Sequence, residues 1–371
     1  MSTFEKGNSL KLNFRFFFLI AITLILIGVI FVYSSSSIYA LEKFGSASYF
    51  LKKHLFYLFI AIVGFFTFAA VPVEFWRKMS PYFFLGALFL TALTFVPYFS
   101  LNVHGSSRWL RLPGFSFQPS ELLKFFLFIY LGFFLEKKET RIKSLTFSYI
   151  PFLAILGCCF ILLIKQPDFG SVATIFLASF ALFFIAGLKE SHLLLTFLSA
   201  LPIVAVAVFF VAYRFQRILI FLNPWSDPRG RGYQIIQSLI AIGSGGVWGQ
   251  GISCSKQKFF YLPMLHTDFI FAIIAEECGF FGSAFIVVLY LLFCYFGLKL
   301  ATLLQSSFAM YITLGFTILI SLQATINLMV VCGLVPTKGL GLPFISYGGT
   351  ALICNVCMLG LIANFVKEQR K

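Results

Sequence analysis

The sequence predicts an all-α polytopic membrane protein with about ten transmembrane helices and one large extracytoplasmic loop. Of its 371 residues, 60% are hydrophobic and only 11% are charged, whereas a soluble domain carries about 25% charged residues. Phenylalanine contributes 52 residues, and the mean hydropathy is +0.96. This composition argues against a soluble enzyme, a nucleic-acid-binding protein and a disordered chain.

Apolar stretches follow one another along the whole chain, and most are near the length of about 20 residues that crosses a bilayer as a helix. The fourth is the weakest because it is short and opens with two charged residues, Glu121 and Lys124. We expect residues 1–371 to form a single integral membrane domain, with its large loop at 214–265 between the seventh and eighth spans. The predicted spans are 16–34, 55–73, 81–100, 119–135, 146–164, 170–187, 192–213, 266–298, 306–333 and 344–366.

The basic residues indicate the orientation. Ten spans place both termini on one side, and short cytoplasmic segments are enriched in Lys and Arg. With the termini inside, 14 basic residues fall on the inner side and 13 on the outer side. Six of the outer 13 lie in the loop 214–265, and long loops follow the rule weakly. Without that loop the inner side has twice as many, so the sequence favours cytoplasmic termini.

The eight cysteines predict neither a disulfide framework nor a zinc site. Seven fall within predicted spans, where cysteine behaves as a small apolar residue. Cys354 and Cys357 have a C-x-x-C spacing, but they lie in the last span, which favours packing over redox chemistry. The sequence has no dedicated metal cage, although a loop-bound divalent cation (Mg²⁺ or Mn²⁺) stays open.

Two polar clusters precede predicted spans on the outer side. Arg108 and Trp109 are followed by Glu121 and Lys124, which are three residues apart and can share a helix face. They fit either an interfacial belt with a structural ion pair or a functional polar cavity. Asp168, between Pro167 and Gly170, fits a turn or a positioning role.

The large loop concentrates positive charge beside the membrane. Its six cations accompany only one acid, Asp227. Such a loop suits a diphosphate ligand, although affinity for anionic lipid headgroups is the alternative. Its glycines fit a phosphate cradle or an ordinary surface turn equally well. The cations are Arg214, Arg217, Arg229, Arg231, Lys256 and Lys258.

Asp268 stands where the eighth span enters the membrane from outside. Thr267 or Asp268 could cap this helix, but a carboxylate at the interface is also placed to act as a general base. Glu276 lies deeper, and a buried acid there must be paired or protonated. Before the last span, a segment rich in Pro and Gly carries Lys338 and Ser346. Irregular backbone at that depth must line protein or water.

Taken together, these segments resemble the SEDS family (shape, elongation, division and sporulation) over nearly the whole chain. The matching motifs occur in the same order as in the family. They are Gly105-x-x-Arg108-Trp109, Gln118-Pro-Ser-Glu121, Gln166-Pro-Asp168-Phe-Gly170, Pro224-Trp225-x-Asp227-Pro-x-Gly-x-Gly232-Tyr-Gln234, Gln237-Ser-x-x-Ala-Ile-Gly-Ser-Gly-Gly246, His266-Thr-Asp268-Phe-Ile-Phe271, Glu276-Glu277 and Ser346-Tyr-Gly-Gly349.

The resemblance implies a ten-helix, inverting peptidoglycan glycosyltransferase that polymerises lipid II outside the bacterial cytoplasmic membrane. It implies a class B penicillin-binding protein as partner, together with divisome components and membrane lipid, and no nucleic acid. Asp268 would be the general base. Binding of the substrate and its diphosphate would fall to Arg108, Trp109, Arg214, Arg217, Lys256, Lys258, Lys338 and Ser346. The cavity would be lined or oriented by Glu121, Lys124, Asp168, His266, Thr267 and Glu276.

Two segments resemble the division or sporulation type of the family, namely Ser255-x-Gln257-Lys258 and Pro336-Thr-Lys338-Gly. We therefore expect a role in septal wall synthesis. The chain departs from the family's usual residues at a few positions. They are His104 for Asn, Asn223 for Asp, Ser253-Cys254 for Gly-Asn, Met264 for Glu, and Ala351 at the end of Gly-Gly-Ser-Ser.

Two other classes of function compete with the enzyme. A flippase for a lipid-linked precursor would suit the many spans, but intramembrane charges are few and no inverted repeat is visible. A non-enzymatic scaffold for the penicillin-binding protein would tolerate replacement of Asp268. Polymer formation in detergent separates the enzyme from the flippase, and the effect of Asp268→Asn separates the enzyme from the scaffold.

Overall fold

The structure, a computed structural model, describes residues 3–103, 106–112, 115–198, 212–230, 232–258, 265–337 and 339–369. It is mainly helical, with one small sheet between its third and fourth helices. The helices are α1 (Thr3–Phe44), α2 (Tyr49–Ala70), α3 (Val73–Leu93), α4 (Pro119–Lys138), α5 (Ile150–Lys165), α6 (Phe169–Ile185), α7 (described part 190–198), α8 (Ala212–Leu222), α9 (Tyr233–Gly245), α10 (Ile270–Leu303), α11 (Ser307–Val331) and α12 (Gly349–Glu368).

Six helical segments in the described part of the chain are long and apolar enough to cross a membrane. They contain or overlap the first, second, fifth, eighth, ninth and tenth predicted spans. The third, fourth and sixth spans also form helices (α3, α4 and α6). Most of the seventh, 192–213, lies outside the described residues. The six are Gly7–Phe44, Tyr49–Ala70, Leu145–Lys165, Ile270–Leu303, Ser307–Val331 and Gly349–Glu368.

Helices α11 and α12 form the centre of the molecule. In their most apolar windows, 67% of α11 residues and 83% of α12 residues are buried, compared with 17% in α2. Helix α12 packs against α2, and α11 packs against α4, α6 and α10. Helix α1 closes over α10. The polar side chains of Gln323 and Asn327 on α11 are therefore enclosed by protein.

A three-stranded antiparallel sheet departs from the predicted all-α fold. Its strands are β1 (Ser100–Val103), β2 (Ser106–Leu112) and β3 (Phe115–Phe117). Leu110 pairs with Ser100 on one side and with Phe117 on the other. Short runs separated by His-Gly and Pro-Gly dipeptides are typical of hairpins, but the apolar stretch before them hid this signal. The sheet carries Arg108 and Trp109.

The third predicted span is displaced along the chain because Pro81 lies inside α3 rather than at its start. A proline cannot donate to the carbonyl four residues earlier, which here belongs to Arg77. The hydroxyl of Ser80 donates to that carbonyl instead, at 3.0 Å. The helix thus continues through the proline, as membrane helices can when a neighbouring side chain supplies the missing bond.

Helix α10 was predicted as one continuous span, but its backbone leaves the helical region at Gly279 (φ 65°, ψ −160°). The segment after α9 replaces the lost helical bonds. The amides of Gln250 and Gly251 donate to the carbonyls of Glu276 and Glu277 at 2.9 and 3.0 Å, and the amide of Phe280 donates to Gly246 at 2.9 Å. The glycine-rich segment therefore completes a broken membrane helix, which favours the turn over the phosphate cradle.

Candidate active site

Asp268 lies in a tight turn, residues 265–269, immediately before α10. It is half-buried. The N-cap residue of the helix is Phe269, so neither Thr267 nor Asp268 occupies the capping position that the sequence left open. The side chain of Asp268 is therefore not committed to a structural cap.

The carboxylate of Asp268 and the guanidinium of Arg108 both lie close to Gly339. A Cβ atom at position 339 would lie 3.4 Å from Oδ2 of Asp268 and 3.6 Å from Nη1 of Arg108. Burial raises the pKa of Asp268 from 3.8 to about 6, the positive charge of Arg108 opposes this rise, and the negative charge of Asp168 adds to it. Asp268 is thus a base whose pKa is close to neutral pH.

Arg108, on strand β2, is held by backbone carbonyls of the turn between α5 and α6. Its Nε donates to the carbonyl of Gln166 at 3.1 Å, and its Nη2 donates to that of Pro167 at 2.5 Å. The remaining terminal nitrogen, Nη1, is the one beside Gly339. Trp109, the next residue of β2, is half-buried and pairs with Leu101. The sheet and the 166–168 turn together fix the cation near Asp268.

Asp168 caps α6 and also reaches α4. Its Oδ1 accepts from the amide of Ser171 at 3.3 Å, and its Oδ2 accepts from the hydroxyls of Ser171 and Ser120 at 2.8 and 3.5 Å. The structure thus combines both interpretations of this residue. Asp168 makes the turn, and its charge acts on the pKa of Asp268.

Glu121 and Lys124 form a buried ion pair of 2.6 Å near the start of α4. Lys124 is 1% exposed, and its Nζ also donates to Oε1 of Gln323 at 3.2 Å. The Nε2 of Gln323 in turn donates to the carbonyl of Gly341 at 3.1 Å. Through Gln323, the pair is therefore linked to the irregular segment 339–348.

Ser346 and His266 connect that segment to the Asp268 turn. The hydroxyl of Ser346 donates to the carbonyl of Thr267 at 2.5 Å and accepts from the amide of Leu342 at 2.7 Å. The imidazole of His266 lies against the ring of Phe50, with 4.5 Å between centroids. Burial lowers the pKa of His266 to about 4, so this ring is neutral at physiological pH. Ser346, expected to contact the diphosphate, is placed as a link between loops.

The loop residues expected to bind a diphosphate differ in where they point. Lys258 is buried, donates to the carbonyl of Ser253, and has its Nζ 3.7 Å from Oε1 of Glu277. The hydroxyl of Ser34 on α1 donates to the same carboxylate at 2.7 Å. Lys258 therefore anchors the loop, because its charge is already paired with Glu277. Lys256 is exposed.

Glu276 holds the same loop. Its carboxylate accepts from the hydroxyl of Ser255, from the amide of Lys256 at 2.9 Å and from the amide of Gln257 at 3.4 Å. Glu276 is 1% exposed and thus serves as a buried anchor rather than as part of an open cavity wall. The side chain of Lys256 projects outward from this anchored backbone.

Several predicted positions lie outside the described structure. Arg214 and Arg217 fall in α8, but their side chains are not described. Lys338, His104, Arg231 and Met264 lie outside the described residues altogether. Their contribution to the site remains a prediction.

Sequence reasoning missed two amides on α11, Gln323 and Asn327. They are four residues apart, so they share a helix face. Polar side chains on one face of an otherwise apolar span are a recognisable signal, but attention to charged residues passed over them. The role of Glu277 as the partner of Lys258 was also missed, because the sequence does not show which way a loop lysine points.

The described residues contain no group of three or more His, Cys, Asp and Glu side chains that could hold a metal ion. These residues therefore do not supply a protein cage for Mg²⁺ or Mn²⁺.

Comparisons with known proteins agree with the motifs. The family described as cell cycle protein (FtsW/RodA/SpoVE) matches residues 14–371. A Geobacter sp. (strain M18) protein named "Probable peptidoglycan glycosyltransferase FtsW" is 42% identical, covering 95% of this chain and 96% of that one. "Stage V sporulation protein E" of Bacillus subtilis (strain 168) is 36% identical, covering 95% and 97%.

Solved structures have the same fold. A chain from "Structural coordination of polymerization and crosslinking by a peptidoglycan synthase complex" superimposes with a TM-score of 0.78 at 28% identity, covering 96% of this chain and 98% of that one. The rod shape determining protein RodA of Thermus thermophilus gives 0.70 at 23% identity, covering 96% and 97%. Because the family match extends over nearly the whole sequence, this protein belongs to the FtsW/RodA/SpoVE family, the SEDS family that its motifs resemble.

Proposed function

We propose that this protein is a peptidoglycan glycosyltransferase that polymerises lipid II at the outer face of the bacterial cytoplasmic membrane. The observation that carries the proposal is the half-buried Asp268, whose pKa of about 6 suits a general base and whose carboxylate lies beside Arg108. The names of its relatives, which include peptidoglycan glycosyltransferases, support the same activity.

The proposed reaction is a single displacement with inversion. Asp268 takes the proton from the 4-hydroxyl of the acceptor sugar as that oxygen attacks the anomeric carbon of the donor's muramic-acid sugar. The bond between the anomeric carbon and the diphosphate oxygen breaks, and undecaprenyl diphosphate leaves with the bonding electrons. One essential carboxylate is sufficient for this step, since the leaving diphosphate needs charge stabilisation rather than protonation by a second carboxyl group.

Cations at the outer surface would stabilise the departing diphosphate. Arg108 is already held near Asp268 by the carbonyls of Gln166 and Pro167, and Lys256 is exposed on a loop anchored by Glu276. We assign Arg214, Arg217 and Lys338 to the same role from the sequence pattern. Lys258 contributes indirectly by holding the loop.

We infer a topology of ten membrane spans with both termini in the cytoplasm and the loop 214–265 outside. The partner of this protein would be a class B penicillin-binding protein acting with divisome components at the septum. Support comes from relatives with the division name FtsW and from the structural neighbour in a complex of polymerisation and crosslinking.

A polymerisation assay of the purified protein with lipid II in detergent tests the proposal. It is run with and without the cognate penicillin-binding protein. Wild type should form glycan polymer, and Asp268→Asn should lose nearly all polymerisation while folding normally. Glu42→Gln is the matched control, because Glu42 is an exposed carboxylate at the outer end of α1. A near wild-type amount of polymer from Asp268→Asn would contradict the proposal. A wild-type protein that moves lipid II across vesicle membranes without polymerising it would favour a flippase.

A further inference from the structure

The turn that carries Asp268 is held at three consecutive backbone carbonyls. The carbonyl of His266 accepts from the amide of Tyr347 at 2.8 Å, and that of Thr267 accepts from the hydroxyl of Ser346 at 2.5 Å. The carbonyl of Asp268 itself accepts from Nδ2 of Asn327 at 2.8 Å. The first two bonds come from the segment before α12, whereas the third comes from the core helix α11.

Asn327 uses both protons of its amide nitrogen. The second goes to the carbonyl of Leu340 at 2.6 Å, and the side chain is only 1% exposed. One planar NH₂ group therefore fixes two chain segments at a set separation and angle. Leu340 follows Gly339, the residue to which the side chains of Asp268 and Arg108 both lie close.

The support for this bond extends into the membrane core. One turn earlier on α11, Gln323 donates to the carbonyl of Gly341 at 3.1 Å and accepts from Lys124 at 3.2 Å. Successive carbonyls of the irregular segment, at 340 and 341, are thus fastened to the same helix face. Asn327 is the member of this pair that also reaches the Asp268 backbone.

We propose that Asn327 is a positioning residue for Asp268. Its amide sets the backbone of Asp268 against the 339–341 segment and keeps the carboxylate beside Arg108, where it can meet the acceptor hydroxyl. The inference rests on the proposed function of Asp268 as general base. Small displacements of a reacting group reduce rates strongly, by about a hundredfold for about 1 Å.

The chain offers a matched control for the loss of such an amide. Asn364 on α12 is also buried, and its Nδ2 donates to the carbonyls of Phe68 and Val71 at 3.0 and 2.5 Å. It lies 15 residues beyond Gly349 in the helix, about 22 Å along the helix axis. Replacing Asn364 thus removes the same two kinds of bond far from Asp268.

The experiment compares Asn327→Leu with Asn364→Leu in lipid II polymerisation and thermal unfolding. We expect Asn327→Leu to lower kcat by about 10- to 100-fold with KM changed by less than about twofold, and to move the acid limb of the pH–rate profile. Asn364→Leu should lower Tm comparably yet keep kcat near wild type. Asn327→Ser, which retains one donor, should fold more readily and give an intermediate kcat.

Wild-type kcat in both Asn327 variants would overturn the inference. An equal loss of kcat in Asn364→Leu at equal Tm would overturn it too, because the effect would then be general destabilisation. Asp268→Asn separates the two proposals in the same assay. If it polymerises normally, the proposed function fails. If it is inactive while Asn327→Leu is normal, only the positioning role fails.

Discussion

Gly279 and Gly249 bring two backbones into direct contact. A Cβ atom on Gly279 would overlap the backbone nitrogen of Gly249, and one on Gly249 would overlap the carbonyl oxygen of Glu277. Both residues also have positive φ, 65° and 84°. This contact allows the loop after α9 to bond with the broken part of α10, and it places the buried acids Glu276 and Glu277 under the loop.

We therefore expect Gly279→Ala to destabilise the protein strongly. A positive φ with ψ near −160° is adopted essentially only by glycine and costs a residue with a side chain about 1–3 kcal/mol, and overpacking adds about 1–3 kcal/mol. Thermal unfolding in detergent measures the effect. Gly86→Ala is the control, because a Cβ atom there has no neighbour within 4 Å on the exposed face of α3. Equal Tm values for the two variants would contradict the close-contact interpretation.

Ser253 occupies a left-handed conformation (φ 66°) that favours glycine. Ser253→Gly should therefore stabilise the fold by about 1 kcal/mol. Lys258 bonds to the backbone carbonyl at this position, so that contact is retained. A higher Tm in thermal unfolding is the expected result. A lower Tm would show that the hydrogen bond between the hydroxyls of Ser253 and Ser34, which is long at 3.5 Å, stabilises the fold more than the backbone conformation destabilises it.

The buried pair of Glu121 and Lys124 predicts strong coupling between the two side chains. Removing either partner leaves a buried charge without its counterion, which costs about 3–5 kcal/mol. Lys124→Met and Glu121→Gln should each lower stability, whereas the double variant should recover much of the loss. A double-mutant cycle of thermal unfolding tests this, and simple additivity of the two single effects would contradict it.

The sequence predicted the helical membrane fold, because long apolar stretches are local signals. The position of Asp268 at the border of a span made it one candidate among several acids, and the resemblance to the family motif singled it out. The sequence did not reveal the break in α10. Apolar residues resume directly after Glu276, Glu277 and Gly279 and run to the end of α10, and the bonds that replace the helical ones come from residues about 30 positions earlier.

For a similar reason, the sequence could not predict in which direction the loop side chains point. Lys256 and Lys258 are equivalent as charges, yet the first is exposed and the second is buried against Glu277. Which of them faces outward depends on how Glu276 binds the intervening backbone. That is a long-range contact, whereas sequence patterns report spacing along one segment.

The raised pKa of Asp268 also predicts how stability changes with pH. Its folded-state pKa of about 6 exceeds the ordinary value of 3.8, so the folded protein binds the proton more tightly than the unfolded chain. The resulting stabilisation is complete below about pH 3.8 and is lost as pH rises through about 6. Asp268→Asn should remove this dependence and raise Tm at pH 7.5. An unchanged or lower Tm at that pH would argue against an unfavourable buried carboxylate.

Activity should depend on the same group in the opposite direction. A general base must be ionised, so polymerisation should fall about tenfold per pH unit below a pKa of about 6 and level off above it. The positive charge of Arg108 lowers the pKa of Asp268. Arg108→Gln should therefore move the acid limb of the pH–rate profile to higher pH, in addition to lowering the maximal rate. Lys256→Gln serves as the comparison, because an exposed loop cation that acts only on the leaving group should reduce the rate without moving the acid limb. If the acid limb does not move in Arg108→Gln, the charge of Arg108 does not influence the pKa of the catalytic base.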